Sequence, residues 1–174
     1  MTTHRLALDP PTDALFVLED ALVDHAVRYA RESPRRRVIA PFHRSPEDAL
    51  HRMLNAVQPD SYVRPHRHLD PPKAEAWVVL RGSLLFFTFH PDGEVDQRLV
   101  IRAGGPRFGV DLVAGVYHSF IALEPDTVIY EVKNGPYQAS SDKSFAPWAP
   151  AEGTPEATQY MQQLLVDAAQ LLER

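Results

Sequence analysis

Residues 75–101 read EAWVVLRGSLLFFTFHPDGEVDQRLVI, and the order of residue types within them decides the fold. Three runs, 76–80, 84–90 and 95–101, are rich in β-branched and aromatic side chains and are expected as strands. Gly82 closes the first, and Pro91-Asp92-Gly93 separates the second from the third. The pattern continues outward on both sides. Residues 52–57 and 62–68 precede it and 108–113, 116–123 and 127–133 follow, divided by Gln58-Pro59-Asp60, Asp70-Pro71-Pro72, Gly104-Gly105-Pro106 and Glu124-Pro125-Asp126, with Asn134-Gly135-Pro136 closing the series. Short strands at close spacing with no helices between them argue for a closed or double-sheet β architecture, because such a chain must remove or protect its strand edges. A mainly β fold built as one small jelly-roll barrel satisfies this.

Helices are expected at both ends. Residues 14–31 place Phe16, Val17, Ala21, Val23, Val27 and Ala30 at mostly helical spacings, and Ser33-Pro34 stops the run. Arg35-Arg36-Arg37 reads as a solvated turn, with compensation of the helix dipole as the alternative. Residues 38–41 follow as a short strand. Ser45-Pro46-Glu47-Asp48 has the cap, first-turn proline and carboxylate of a helix start, which predicts a short helical turn before Arg52. Residues 155–174 are good helix formers, with Thr154 as cap and Pro155 in the first turn. The organisation is one structural domain: residues 1–44 as a lead-in packed on the barrel, 45–153 as the barrel with its tail, and 154–174 as a terminal helix.

With 174 residues, 44% of them hydrophobic and 24% charged, the chain has the composition of an ordinary globular domain. A formal net charge of −5 argues against nucleic acid or anionic lipid as partners and leaves small molecules and other proteins. No run approaches the ~20 apolar residues that cross a bilayer, and residues 1–11 lack a basic region followed by an apolar stretch. The expectation is a cytoplasmic protein without a membrane partner. The absence of cysteine removes disulfides and thiolate metal sites, leaving histidines and carboxylates as the strong metal ligands.

His66 and His68 stand two apart on a predicted strand and so point to one side, able to converge on one ion. By the same alternation Tyr62 and Arg64 share that face, whereas Val63 and Arg67 point away. Taken alone, the pair reads rather as a surface coincidence. Glu75 then opens a nearly apolar strand, where a carboxylate carries a desolvation cost unless it is paired or coordinated. The alternatives are a metal ligand and a solvated strand-end residue paired with Lys73. His118, in Gly115-Val116-Tyr117-His118-Ser119-Phe120, shares its side with Phe120 and faces inward, as a ligand or as a hydrogen-bonded core residue.

His66-x-His68, Glu75 and Gly82 resemble the first sequence motif of cupins, and Gly115-x-x-His118 is similar to the second. Six residues separate His68 from Glu75 where the common motif has three or four, and Val113 and Ala122 stand where the second motif usually has Pro and Asn. Residues 52–152 resemble more closely the WbuC-type cupin metalloproteins, whose first motif carries this longer Pro- and Lys-containing insertion. The matching stretches include Tyr62-Val63-Arg64-Pro65-His66-Arg67-His68, Pro71-Pro72-Lys73-x-Glu75, Glu131-Val132-Lys133-x-Gly135-Pro136-Tyr137 and Asp142-Lys143-x-Phe145-Ala146-Pro147-Trp148-Ala149-Pro150-x-Glu152-Gly153.

The resemblance implies that His66, His68, Glu75 and His118 hold one divalent transition metal inside the barrel. Three imidazoles and a carboxylate suit Fe, Mn, Ni or Zn. Tyr62 and Arg64 are the candidate catalytic residues, and together with Lys73, Arg81 and Tyr137 they form the candidate substrate-binding set, able to receive an anionic or hydroxyl-rich small molecule. The alternative for the charged members is a rim paired with surface carboxylates. Residues 134–137 and 145–148 are expected either as a lid over one barrel end or as core plugs. The resemblance also implies a role near surface-polysaccharide metabolism but supplies no reaction, and fold-level analogy allows a metal-dependent isomerase, epimerase or dioxygenase as well as a pure binding protein. The competing readings are a non-catalytic cupin whose metal is structural or whose pocket senses a ligand, and a metal-free barrel. A cupin-like sheet edge with two flanking helices leads to the expectation of a homodimer.

Overall fold

The computed structural model describes residues 6–169. Its elements run α1 (Asp20–Glu32), β1 (Arg37–Pro41), β2 (Leu50–Val57), β3 (His66–Arg67), β4 (Glu75–Arg81), β5 (Ser83–Phe89), β6 (Val95–Arg102), β7 (Gly109–Leu112), β8 (Tyr117–Ala122), β9 (Thr127–Asn134), β10 (Ser144–Phe145) and α2 (Pro155–Asp167). The strands form two five-stranded sheets in the orders β1-β2-β9-β4-β7 and β10-β3-β8-β5-β6. The pairings between these strands are all antiparallel.

Side-chain alternation divides the core into three layers. Between the sheets, Val57, Val63, Trp77, Val79, Leu84, Phe86, Ile101, Phe120 and Ile129 fill one end of the barrel. On the outer face of the first sheet, Val23, Ala26, Val27 and Ala30 of α1 pack on Val38, Ala40, Leu54, Ala56 and Val128. On the outer face of the second, Leu85, Phe87, Phe89, Tyr117 and Ile121 are covered by Ala146, Ala149 and by Met161 and Leu164 of α2. Strand β5 is therefore buried on both faces, with Leu84, Leu85, Phe86 and Phe87 as a continuous apolar run. Gly82 takes φ +74° between β4 and β5, and a Cβ there would lie 2.4 Å from Thr127 Oγ1, so both backbone conformation and space require glycine.

Three expected elements differ. Helix α1 begins at Asp20 rather than at residue 14, and Leu15, Phe16, Val17 and Leu18 are exposed in an irregular lead-in, the Phe16 ring lying tilted with its centroid 5.6 Å from that of Phe42. The helical turn expected at 45–48 is instead a turn in which Asp48 N–H donates to Ser45 C=O (3.1 Å), because β2 begins at Leu50 and pairs from there with β9. The strand expected over 62–68 is reduced to His66–Arg67. Pro65 has no N–H for a ladder, and its carbonyl instead accepts from Ala146 N–H (2.9 Å). The terminal helix forms behind its Thr154 cap as expected, with the side chain accepting from Ala157 N–H (3.3 Å). Residues 170–174 of the expected helix lie outside the described residues.

Candidate metal centre

Strand pairing assembles the centre. His66 of β3 is directly opposite His118 of β8 across the second sheet, and Glu75, the first residue of β4, projects inward from the first sheet with Trp77 and Val79. His68 follows β3 and is 2% exposed. One ring nitrogen from each of His66, His68 and His118 lies within 4.8 Å of the others. Glu75 Oε1 is 3.0 Å from His68 Nε2, and Glu75 Oε2 is 3.0 Å from His118 Nε2. His68 Nε2, His118 Nε2 and Glu75 Oε2 are nonetheless buried without an aligned hydrogen bond.

The other ring nitrogen of each histidine explains this arrangement. His66 Nδ1 faces Arg64 C=O at 2.9 Å, His118 Nδ1 faces Val116 C=O at 3.0 Å, and His68 Nδ1 faces Asp142 C=O. A carbonyl can only accept, so each Nδ1 carries a proton, and in the neutral imidazole the Nε2 then presents a lone pair. Two lone pairs facing a carboxylate repel it unless a positive charge is shared among them. A transition metal fits: two donor atoms each about 2.1 Å from one ion and at right angles across it lie about 3.0 Å apart. Backbone-oriented imidazoles are also the usual outer support of metal-bound histidine.

The protonation states agree with this reading. Burial holds the His66 imidazole well below the ordinary histidine range, and the charges of Lys143 and His118 lower it further. Burial opposes ionisation of Glu75, but the contacts with His118 and His68 and the charge of Lys133 outweigh it and hold the carboxyl well below the usual range, and those contacts act this way where a proton or a metal ion stands between nitrogen and oxygen. Neutral imidazole and ionised carboxylate are the ligating forms.

A buried charge network surrounds these groups. Lys73 donates to Asp142 Oδ1 (2.6 Å) and Pro136 C=O (2.6 Å). Lys133 Nζ lies 3.3 Å from Asp142, 3.7 Å from Glu131 and 3.8 Å from Glu75. Asn55 Nδ2 donates to Glu131 Oε2 at 2.6 Å. Burial raises the Glu131 carboxyl, as does the neighbouring Glu75 charge. Burial would lower the Lys133 ammonium, but Glu131, Glu75 and Asp142 together hold it above the ordinary lysine range.

The centre opens into a cavity of about 580 Å³, lined among others by Asn55, Val63, His66, Glu75, Trp77, Phe120, Glu131, Lys133, Tyr137, Asp142, Lys143 and Phe145. Of the residues expected to bind or act on a substrate, Tyr137 lies in this lining. Lys73 is buried in its ion pair beneath it. Tyr62 and Arg64 are turned elsewhere. Tyr62 donates to Pro150 C=O (3.1 Å) and packs on Tyr160 under α2, where burial raises its phenol. Arg64 donates to Ala146 C=O (3.0 Å) and lies 5.0 Å from the Phe145 ring centroid. The strand alternation slips at Pro65, so Val63 rather than Tyr62 or Arg64 shares the interior with His66. Arg81 is on the outside, paired with Asp24 of α1 at 2.7 Å. A bulge between Val79 and Arg81 takes it out of the inward phase of β4.

Glu131, Lys133, Asp142 and Lys143 were missed as site residues. Glu131 and Lys133 were legible in principle, since they continue the inward phase of Ile129 along β9, where charge is unexpected. Asp142 and Lys143 come from the tail after β9, and no periodicity marks them. The residues expected as lid or plug divide between both roles. Tyr137 and Phe145 line the cavity, whereas Trp148 packs against Phe89, Tyr117 and Tyr160 on the outer face of the second sheet.

The model of one protein family, described as a domain of unknown function (DUF6016), matches residues 18–101. No curated protein matches the chain. Among solved structures, the chain is similar to the L-ribose isomerase of Cellulomonas parahominis, at 17% identity over 65% of this chain and 70% of that one, with a TM-score of 0.53. The same isomerase with L-psicose matches at 18% identity, with the same coverage and a TM-score of 0.52. CapF with the inhibitor 3-isopropenyl-tropolone matches at 19% identity over 60% of this chain, with a TM-score of 0.50, and the match spans 30% of the CapF chain. The two antiparallel sheets with their flanking helices are a cupin fold. Its interior holds a His66, His68 and His118 cluster that could bind a metal. Among the described residues, no helix is long and apolar enough to cross a membrane.

Proposed function

We propose that the chain is a metal-binding cupin of the WbuC type, in which His66, His68, Glu75 and His118 hold one divalent transition metal at the floor of a cavity that takes a small polar metabolite, sugar-like or anionic. The observation that carries this is the orientation of the three imidazoles. Each has its Nδ1 against a backbone carbonyl, which leaves the Nε2 lone pairs to converge beside a carboxylate. An ion bound there would supply Lewis-acid polarisation of a ligand oxygen. Trp77 and Phe120 close the cavity with apolar surface on one side of the centre. Tyr137, 45% exposed, stands where a ligand enters and can offer its hydroxyl to a polar group. Support for a sugar-like ligand comes from the L-psicose seen with the isomerase of similar fold. The link to surface-polysaccharide metabolism rests on the WbuC resemblance of residues 52–152.

The test is elemental analysis of purified protein. Wild type is expected to carry about one transition-metal ion per chain, and His66→Ala to lose it while keeping a native circular-dichroism spectrum. Retention of the ion by that variant would overturn the ligand assignment. Incubation of the loaded protein with aldoses and ketoses, followed by NMR, separates a catalytic cupin from one that only binds.

A further inference from the structure

At the cavity mouth the residue beside Asp142 has a different character from its neighbours. Asp142 is fixed by Lys73 (2.6 Å) and Lys133 (3.3 Å), and Phe145 is fixed by strand pairing to His66. Between these anchors, Lys143 is exposed and lines the cavity, and its side chain has no hydrogen-bond or ion-pair partner among the described residues, so its ammonium is open to a ligand. Lys143 and Phe145 are two apart leading into β10, so they project to one side, and the Phe145 ring lies 6.2 Å from that of His66.

Charge balance points to what this ammonium awaits. Lys73, Lys133 and Lys143 cancel Glu75, Glu131 and Asp142 when all are ionised, and Arg35 and Arg37, sharing the single carboxylate of Glu152, add one positive charge to the same lining. A divalent ion at the histidines then makes the centre more positive still, and a carboxylate or phosphate is the chemistry that offsets that charge. We infer that Lys143 is the anion-binding residue of this centre, receiving the carboxylate or phosphate oxygen of a small ligand seated against the ion. This rests on the metal-site reading, and it narrows the ligand to an oxyanion.

The test uses the full chain loaded with Co(II), titrated with glycolate, inorganic phosphate and imidazole, and followed by the visible absorption of the ion. Glycolate or phosphate is expected to perturb the wild-type spectrum, and whichever does so identifies the oxyanion. Lys143→Met should bind Co(II) in the wild-type ratio but bind that anion ten- to a hundredfold more weakly, on the order expected for loss of a charge-assisted hydrogen bond. Its affinity for neutral imidazole should be unchanged. Lys143→Arg, which keeps the charge, should retain most of the anion affinity. Equal anion affinity in Lys143→Met and wild type overturns the role of Lys143, as does equal weakening of imidazole, or a wild-type spectrum indifferent to both anions. Failure of wild type to take up Co(II) overturns the metal-site reading itself and is seen before any anion is added.

Discussion

Replacing Asp142 by Asn removes one negative charge from a place where two lysines depend on it. The side chains of Asp142 and Lys73 are 4% and 1% exposed, and that of Lys133 is 8% exposed. Lys133 keeps Glu75 and Glu131 at 3.8 and 3.7 Å, whereas Lys73 keeps just the Pro136 carbonyl among its hydrogen-bond partners. The loss therefore falls on Lys73. Breaking one partner of a buried ion pair costs ~3–5 kcal/mol, and the Asn carbonyl still accepts a hydrogen bond, which places Asp142→Asn near the lower figure. For a chain of this size that is a fall in Tm of roughly 6–12 °C, read by circular dichroism on metal-free protein. Removing the orphaned ammonium as well, in Asp142→Asn with Lys73→Met, should recover part of the loss. The pH dependence has a definite sign. Burial raises the Asp142 carboxyl, but Lys133 and Lys73 outweigh it and hold it below its ordinary value. Its stabilisation is then complete above the unfolded pKa of ~3.9 and is lost as pH falls through the lower folded value. The gap between wild type and Asp142→Asn should close in that acid window. A loss below ~1 kcal/mol at neutral pH, or a double variant as damaged as the sum of its parts, would refute the network.

Gly82→Ala puts a Cβ 2.4 Å from Thr127 Oγ1 at φ +74°, so it should destabilise by at least ~1–2 kcal/mol, seen as a lower urea midpoint at unchanged metal content. Arg81→Ala breaks a surface pair with Asp24 and should cost less than ~1 kcal/mol. Because Arg81 lies outside the barrel, anion affinity of the Co(II) protein should not change, and a tenfold loss would return it to the binding set.

The strand series, the inward direction of Glu75 and His118, and the capped terminal helix could be read from local pattern because each depends on period and capping alone. The cavity walls could not, and the failures have local causes. A proline at 65 shifts the phase of one strand segment, and a bulge before Arg81 shifts another. Each moves a side chain expected inside to the other face, since a one-residue slip in a strand reverses every side chain beyond it. The tail residues Asp142 and Lys143 reach the centre through a connection whose course is set by tertiary contacts: the Lys73 ion pair, and the pairing of Phe145 with His66.

The two ends of the barrel interior differ in a way that bears on the metal. At one end Val79, Leu84, Phe86, Ile101 and Ile129 pack as an apolar core. At the other, His66, His68, His118, Glu75, Glu131 and Lys133 are each less than a tenth exposed. Desolvating so many ionisable groups is costly, and replacing buried charges by apolar side chains is often stabilising. A barrel needing only a core would gain by extending the apolar packing upward. Hydrogen bonding within the core explains each Nδ1, which has a carbonyl, but not the Nε2 atoms of His68 and His118, which lie 3.0 Å from Glu75 without an aligned bond. A metal ion shared by those atoms would turn the repulsion into coordination, and the cavity beside them would give a ligand access to it.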